Sequence, residues 1–523
     1  MPAEALRAYV EELLELRGLP GLSLAITDRD GIVASESFGY ADLPARTPVA
    51  PTTLFEIGSI GKTFTSVALL QLREEGLVDL DGPVTAYLPW FEVRSEHEPI
   101  TLHHLLTHTA GIVEGPDLSS DSRFDVWALR ESETGPPPGV HFHYSNVGYR
   151  ILGCVLEDVT GKPYAEIVRE RILDPLGLAA AEPVITSETR KRLAVGYERW
   201  YDDRPPRRRD PMVPAPWVET TTGDGAQAMT AEDLAAFLRA FLNEGKPLLS
   251  AESFELMSRP AVEIGDGWWY GYGLFVGTRE GRNVFGHGGS MPGFGSAMDA
   301  DSDAGMGAVV LVNGPDEGNL TEQVAHTAVD LYRGSRSGLE LPDPLAVEKA
   351  EDFAGRYSGA RDLTLAAEGG RLVLEHAETR VPLEPRGDGR FLVDHPDFAR
   401  YLLVFERDGD AVARAWHGPD RYRREGAPER PGGEPPGVWS AYTGHYLAYN
   451  PWLSNFRVLL RGDRLVLAWP WGPEDALAPL EDGSFRVGKE DWSPERLRFD
   501  AIVDGAALRA NLSGCDYYRV TAP

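Results

Sequence analysis

Apolar residues at Leu6, Val10, Leu13 and Leu14 recur with a helical period, which predicts an amphipathic helix over residues 3–17. Two runs of strand character follow, GLSLAIT at 21–27 and GIVASESFGYA at 31–41. Asp28-Arg29-Asp30-Gly31 between them reads as a hairpin turn. Helical patterns then run from Ser59 to about Glu75, with Gly76 placed to cap the end, and over 102–107, 146–160 and 231–243. Strand patterns return at 283–286, 295–300 and 307–312, before a last helix over 320–332. This mixture predicts an α/β sandwich over residues 1–333, its sheet closed by strands from both ends of the segment.

Beyond the segment 339–344 the pattern changes to short alternating strands separated by Gly, Asp and Pro turns. A linker is expected at 334–348, a first β domain at 349–425, a second linker at 426–437 and a second β domain at 438–523. The two β domains look like a repeat. Phe353-Ala-Gly-Arg-Tyr357 recurs as Tyr442-Thr-Gly-His-Tyr446, Arg371-Leu-Val-Leu374 as Arg464-Leu-Val-Leu467, and Gly418-Pro-Asp-Arg-Tyr422 as Gly514-Cys-Asp-Tyr-Tyr518. Each copy has room for about eight short strands, enough to close a small antiparallel, lipocalin-like barrel. The fold class is thus multidomain, α/β followed by two β-barrels.

Length alone supports several domains, because 523 residues exceed the size at which one core stops growing. A net charge of −30 argues against nucleic acid or an anionic membrane surface as partner. No stretch reaches the roughly 18 apolar residues of a membrane span. The opening MPAEALRAYVEELLELRG lacks a basic n-region and an apolar h-region, so a cytoplasmic location is expected. Cys154 and Cys515, far apart in sequence, read as packed thiols rather than a bridge.

Lysine occurs only at positions 62, 162, 191, 246, 349 and 489, and only Lys62 has a serine three residues before it. In Ser59-Ile-Gly-Lys62, at a helix start, hydroxyl and amine lie one turn apart on one face, with the serine near the positive end of the helix dipole. A serine hydroxyl is a weak nucleophile until a neighbouring base takes its proton. A lysine serves as that base when burial lowers its pKa from about 10.4 toward neutrality, and Phe55, Ile57, Phe64 and Val67 offer that burial. Tyr144-Ser145-Asn146 follows a proline-rich loop and precedes a helix. Its phenol could pass a proton between nucleophile and leaving group, and Asn146 could bind both lysine and substrate. His287-Gly288-Gly289-Ser290 ends a strand where a substrate backbone could lie along the edge, the Ser290 and Ser59 amides forming an oxyanion hole. Each motif alone has an ordinary structural explanation.

Taken in order, Ser-x-x-Lys, Tyr-x-Asn and His-x-Gly resemble the three motifs of the β-lactamase and penicillin-binding transpeptidase superfamily, in its class C β-lactamase-like branch. Residues 100–111, 173–177 and 229–234 look like that family's framework segments. The resemblance covers residues 1–333. It implies catalytic roles for Ser59, Lys62, Tyr144 and His287, substrate binding by Asn146, Gly288, Gly289 and Ser290, and no metal or other cofactor. His104 and His108 have zinc-ligand spacing but no acid in the second position of His-Glu-x-x-His, so they are not read as ligands. Trp268, Trp269, Tyr270 and Tyr272 either pack on the sheet or line a pocket, and His141 and His143 belong to structure or pocket rim.

Superfamily members that cut β-lactams or D-Ala-D-Ala ends commonly carry a lysine where this chain has His287. The layout resembles the D-stereospecific aminopeptidases, in which a catalytic domain precedes two eight-stranded barrels and a loop of the last barrel enters the active site. Two segments are candidates for that loop, residues 489–495 and 469–475. The expected function is release of an N-terminal residue from a small peptide or amide through an acyl-Ser59 intermediate. The alternatives are an esterase or a β-lactam or D,D-peptide hydrolase of the same fold, and a non-catalytic ligand-trapping protein. The expected partners are a small peptide, amide or ester, with neither nucleic acid nor membrane and with room for a homodimer.

Overall fold

The computed structural model describes residues 2–520 apart from 116–118, 120, 335–338, 340, 342, 377, 430–432 and 434, so both expected linkers lie partly outside the described residues. The chain divides into two compact units. One comprises Met1–Glu198, Met212–Leu339 and Trp492–Glu495, and the other Arg199–Pro211, Glu340–Asp491 and Arg496–Pro523.

The first unit is built on a nine-stranded antiparallel sheet. Its strands in chain order are β1 (Gly21–Asp28), β2 (Ile32–Asp42), β3 (Thr47–Pro48), β4 (Val262–Gly265), β5 (Trp268–Tyr270), β6 (Phe275–Arg279), β7 (Arg282–Met291), β8 (Phe294–Asp301) and β9 (Met306–Val312). Their spatial order is β3-β2-β1-β9-β8-β7-β6-β5-β4. β1 pairs with β9 in the register Leu22↔Val312, so strands from both ends of the segment meet at the centre. The turn before β2 is held by the Asp28 carboxylate, which accepts from the amides of Asp30 and Gly31 at 2.8 and 2.9 Å. Nearly every residue of β1, β8 and β9 is buried, so the alternation expected of a half-exposed strand is absent and both faces are covered. Helices Pro2–Arg17 (α1), Ala231–Leu242 (α3) and Leu320–Tyr332 (α4) pack around these strands.

Gly61–Glu74 (α2) differs from those surface helices, because its first ten residues are all buried. A helix wrapped on every side is a core helix, and it takes Lys62 into the interior with it. Cys154 and Cys515 are both buried free thiols.

The second unit holds two closed eight-stranded antiparallel barrels, Gly355–Arg424 and Gly444–Arg519. The first and last strands pair at Tyr357↔Arg424 in one and Tyr446↔Arg519 in the other. The repeated motifs do the same physical work in each copy. The Tyr357 hydroxyl donates to the Phe353 carbonyl at 2.8 Å, and the Tyr446 hydroxyl to the Tyr442 carbonyl at 2.8 Å. Leu372 and Leu374 fill one core as Leu465 and Leu467 fill the other. The third match shifts by one residue. The two-residue hairpins His417↔Asp420 and Leu512↔Cys515 align Tyr422 with Tyr517, both buried, whereas Tyr518 faces solvent.

Candidate active site

The segment before Ser59 is shaped by close backbone approach. Phe55–Glu56 forms a short strand against Ala228–Met229. Gly58 then takes φ +51°, and a Cβ there would lie 2.6 Å from the Ser290 nitrogen. Gly289 meets the same segment from β7, where a Cβ would fall 2.0 Å from the Ile57 carbonyl oxygen. Only glycine tolerates either position, so the strand carrying His287 lies against the turn carrying Ser59. That turn, Gly58–Ile60, is a short 3-10 helix, and the α-helix starts at Gly61 rather than at Ser59. The Ser296 hydroxyl donates to the Ile57 carbonyl at 2.8 Å and ties β8 to the same segment.

Lys62 is fully buried. Its ammonium donates to Ser59 Oγ at 3.0 Å, Asn146 Oδ1 at 2.8 Å and the Asp224 carbonyl at 3.0 Å, and it lies 4.8 Å from the Tyr144 ring centre. Asn146 is the first residue of the helix Asn146–Thr160, capped by the Ser145 hydroxyl, which accepts from the Gly148 amide at 3.1 Å. Tyr144 shares a hydrogen bond with Ser59, and its ring lies 6.4 Å from that of His287. The structure therefore brings Ser59, Lys62, Tyr144, Asn146 and His287 together, with Gly288, Gly289 and Ser290 on the adjoining strand.

Electrostatics fix the protonation of two of these groups. Desolvation pushes the Tyr144 phenol well above its ordinary value, against the opposing hydrogen bond with Ser59, so it remains a neutral phenol. Burial and the Lys62 charge push His287 down to about 3, so the imidazole is neutral. His287 Nδ1 donates to the Gly288 carbonyl at 2.5 Å and Nε2 accepts from the Tyr270 hydroxyl at 3.1 Å, which sets the tautomer.

Several groups around the site were not legible in the motifs. Arg150 pairs with Asp125 and, through Nε, with Asp224 at 3.2 Å, three charged side chains almost wholly out of water. Burial raises the Asp224 carboxyl, but the Arg150 and Lys62 charges outweigh it and hold it below the ordinary range. His108 is buried against Tyr144 at 4.3 Å between ring centres, and its Nδ1 accepts the Ser145 amide at 3.0 Å. It thus braces the Tyr144 loop. His104 Nδ1 accepts its own helix's Thr101 amide at 3.2 Å. The aromatic cluster splits in role: Tyr270 reaches His287, whereas Tyr272 bonds to His103 at 2.8 Å and Trp268 packs over Gly277.

Of the two loop candidates from the last barrel, Trp492–Glu495 groups with the unit that holds Ser59. The Trp492 indole stacks on His141 at 4.5 Å, and the Glu495 carboxylate accepts from the Glu114 amide at 2.7 Å and lies 3.0 Å from His143 Nε2. His141 and His143 are therefore the rim that receives this tetrapeptide. Residues 469–475 stay with their own barrel, where the Trp469 indole donates to Asp475 at 2.7 Å.

A serine with a buried lysine one turn away, a phenol within reach and a neutral histidine on the adjoining strand, carried on this sheet, are the arrangement of the β-lactamase and penicillin-binding-protein fold. The chain belongs to the Beta-lactamase family, whose model matches residues 6–332. It is 28% identical over 321 residues to Protein flp of Staphylococcus aureus, a match covering 58% of this chain and 61% of that one. The chain thus spans about three fifths of that relative's length. Among solved structures, an octameric penicillin-binding protein homologue from Pyrococcus abyssi superposes with a TM-score of 0.62 at 26% identity, covering 81% of this chain and all of that one. The D-amino acid amidase from Ochrobactrum anthropi SV3 superposes with a TM-score of 0.55 at 25% identity, covering 64% of this chain and 99% of that one.

Proposed function

We propose that the protein is an aminopeptidase or amidase that releases an N-terminal residue, D-configured or small, from short peptides or amides through an acyl-Ser59 intermediate. Lys62, once it has released a proton and is a neutral amine, takes the Ser59 proton as the hydroxyl attacks the carbonyl. Tyr144, held as a neutral phenol, relays that proton to the leaving amine. The Ser59 and Ser290 amides receive the developing oxyanion. Water then attacks the ester in the reverse sense and frees the acid. Neutral His287 offers no fixed cation for a substrate carboxylate, which disfavours D,D-peptides and β-lactams.

The observation that carries this reading is the Glu495 carboxylate on the rim that delivers Tyr144, where it accepts from the Glu114 amide and lies beside His143. A carboxylate on that rim suits a substrate's free ammonium, and the similarity to a D-amino acid amidase supports the same class. The test compares D- and L-alanine p-nitroanilides with their N-acetylated forms on wild type and Glu495→Gln. The expected result is turnover of a free-amine anilide, lost by at least about tenfold in Glu495→Gln, with acetylated substrates poor on both. No turnover of any free-amine anilide, or equal turnover of acetylated forms, would overturn it. Hydrolysis of short p-nitrophenyl esters alone would favour the esterase reading, for which the aromatic wall of Tyr270, Phe275 and Phe142 is the motive.

A further inference from the structure

The first barrel carries a group of side chains that the Ser59 chemistry does not use. His376 ends the strand Arg371–His376, and His395 and Asp397 sit in the loop after Arg390–Val393, where Pro396–Phe398 makes a single 3-10 turn. Each of the three can offer one donor atom, and those atoms lie within 4.8 Å of one another. His376 Nε2 is 2.8 Å from Asp397 Oδ2, and the two imidazole rings stand nearly perpendicular with centres 4.9 Å apart.

The loop is braced from beneath and behind. Phe398 is fully buried in the barrel core and touches both imidazoles edge-on. Arg207 donates to the His395 carbonyl at 3.2 Å and pairs with Asp394 at 3.1 Å. His395 Nδ1 accepts the Asp397 amide at 3.2 Å, which leaves Nε2 as its outward nitrogen. The ligand-bearing turn is held in place by contacts that do not involve the donor atoms themselves, and such a frame lowers the ordering cost of binding.

We propose that His376, His395 and Asp397 form a binding site for a divalent transition-metal ion of the zinc or nickel type. Two imidazoles and one carboxylate suit borderline ions, whereas calcium and magnesium prefer all-oxygen shells. Metal–ligand bonds of about 2.0–2.2 Å set tetrahedral donor separations near 3.4 Å, so the His376–Asp397 pair at 2.8 Å must open slightly and the wider separations must close by roughly an ångström. Rotations of the exposed Asp397 side chain and of the half-buried imidazoles supply that adjustment. Three protein donors leave the remaining position to water, and the ion takes the place of the His376 proton that now faces Asp397. Arg361 Nη1 lies 3.1 Å from the same carboxylate oxygen and opposes the ion. The bound ion clips the loop at 394–399 to the end of the strand Arg371–His376. This departs from the sequence expectation, which gave the chain no metal and weighed only His104 and His108.

The test is calorimetric titration of Zn²⁺ into untagged, chelator-treated full-length protein. The expected result is one ion per chain with micromolar affinity, weakened at least about tenfold by His395→Ala and by Asp397→Asn. Arg361→Gln should tighten binding several-fold, because it removes the competing cation without touching a donor. All three substitutions lie on partly or fully exposed side chains, and circular dichroism checks that each variant folds. Absence of stoichiometric Zn²⁺ binding, or variants that bind as wild type does, would overturn the proposal.

Discussion

The interior around Ser59 and the interiors of the two barrels are built on opposite terms. Near Ser59 the core takes in Lys62, Glu56, His108, Arg150, Asp125 and His287, all buried. The first barrel is filled by Leu363, Leu365, Leu372, Leu374, Leu383, Phe391 and their apolar neighbours. Apolar packing tolerates exchange among residues of similar volume, whereas a buried charge depends on particular partners and leaves them stranded when it goes. The difference gathers buried charge around Ser59, and leaves the barrel cores to be filled mainly by apolar side chains.

Removing the amine should produce the largest effect. Lys62→Met is expected to lower kcat/KM by about 10³-fold, the scale of a lost general base, and rates on an activated ester check it. The same replacement type then separates the two interiors. Arg150→Met removes the cation shared by the buried Asp125 and Asp224 and should cost roughly 3–5 kcal/mol in denaturant unfolding. Leu374→Met, in the first barrel, should cost less than about 1.5 kcal/mol. Similar losses at the two sites would break the contrast.

A smaller effect follows from Glu56, whose carboxyl is buried and pushed up from 4.5 to about 8 by desolvation. Between those values the folded chain holds a proton that the unfolded chain releases. Stability from this group is full below pH 4.5 and is lost as pH rises toward 8. The stability of wild type relative to Glu56→Gln should therefore fall by up to roughly 1.4 kcal/mol per pH unit across that window. A difference independent of pH would show that Glu56 titrates normally.

The barrels were legible because strand alternation and a repeated motif report directly on a closed antiparallel sheet. The one slip, Tyr518 for Tyr517, came from two adjacent tyrosines, of which only hairpin geometry selects the inward one. The convergence of Ser59, Lys62, Tyr144 and His287 was legible because the chemistry proposed for them demands fixed residue types at fixed local spacing. Asp125, Arg150 and Asp224 were not, since an ion triad assembled from three distant segments leaves no spacing behind. Glu495 was within reach only as one acid of a candidate loop, because the sequence does not say which unit a loop joins. His108 was noted only for its zinc-like spacing from His104 and set aside as a ligand, and its part in accepting the Ser145 amide had no signal in the sequence.

The central claim is that the Ser59 hydroxyl forms a covalent acyl intermediate. Acid-quenched reaction of the protein with a D-alanine p-nitrophenyl ester, followed by peptide mass mapping, tests it directly. The account requires one alanyl group on the peptide that contains Ser59, and none in Ser59→Ala. An acyl group on another residue, or hydrolysis undiminished in Ser59→Ala, would contradict it.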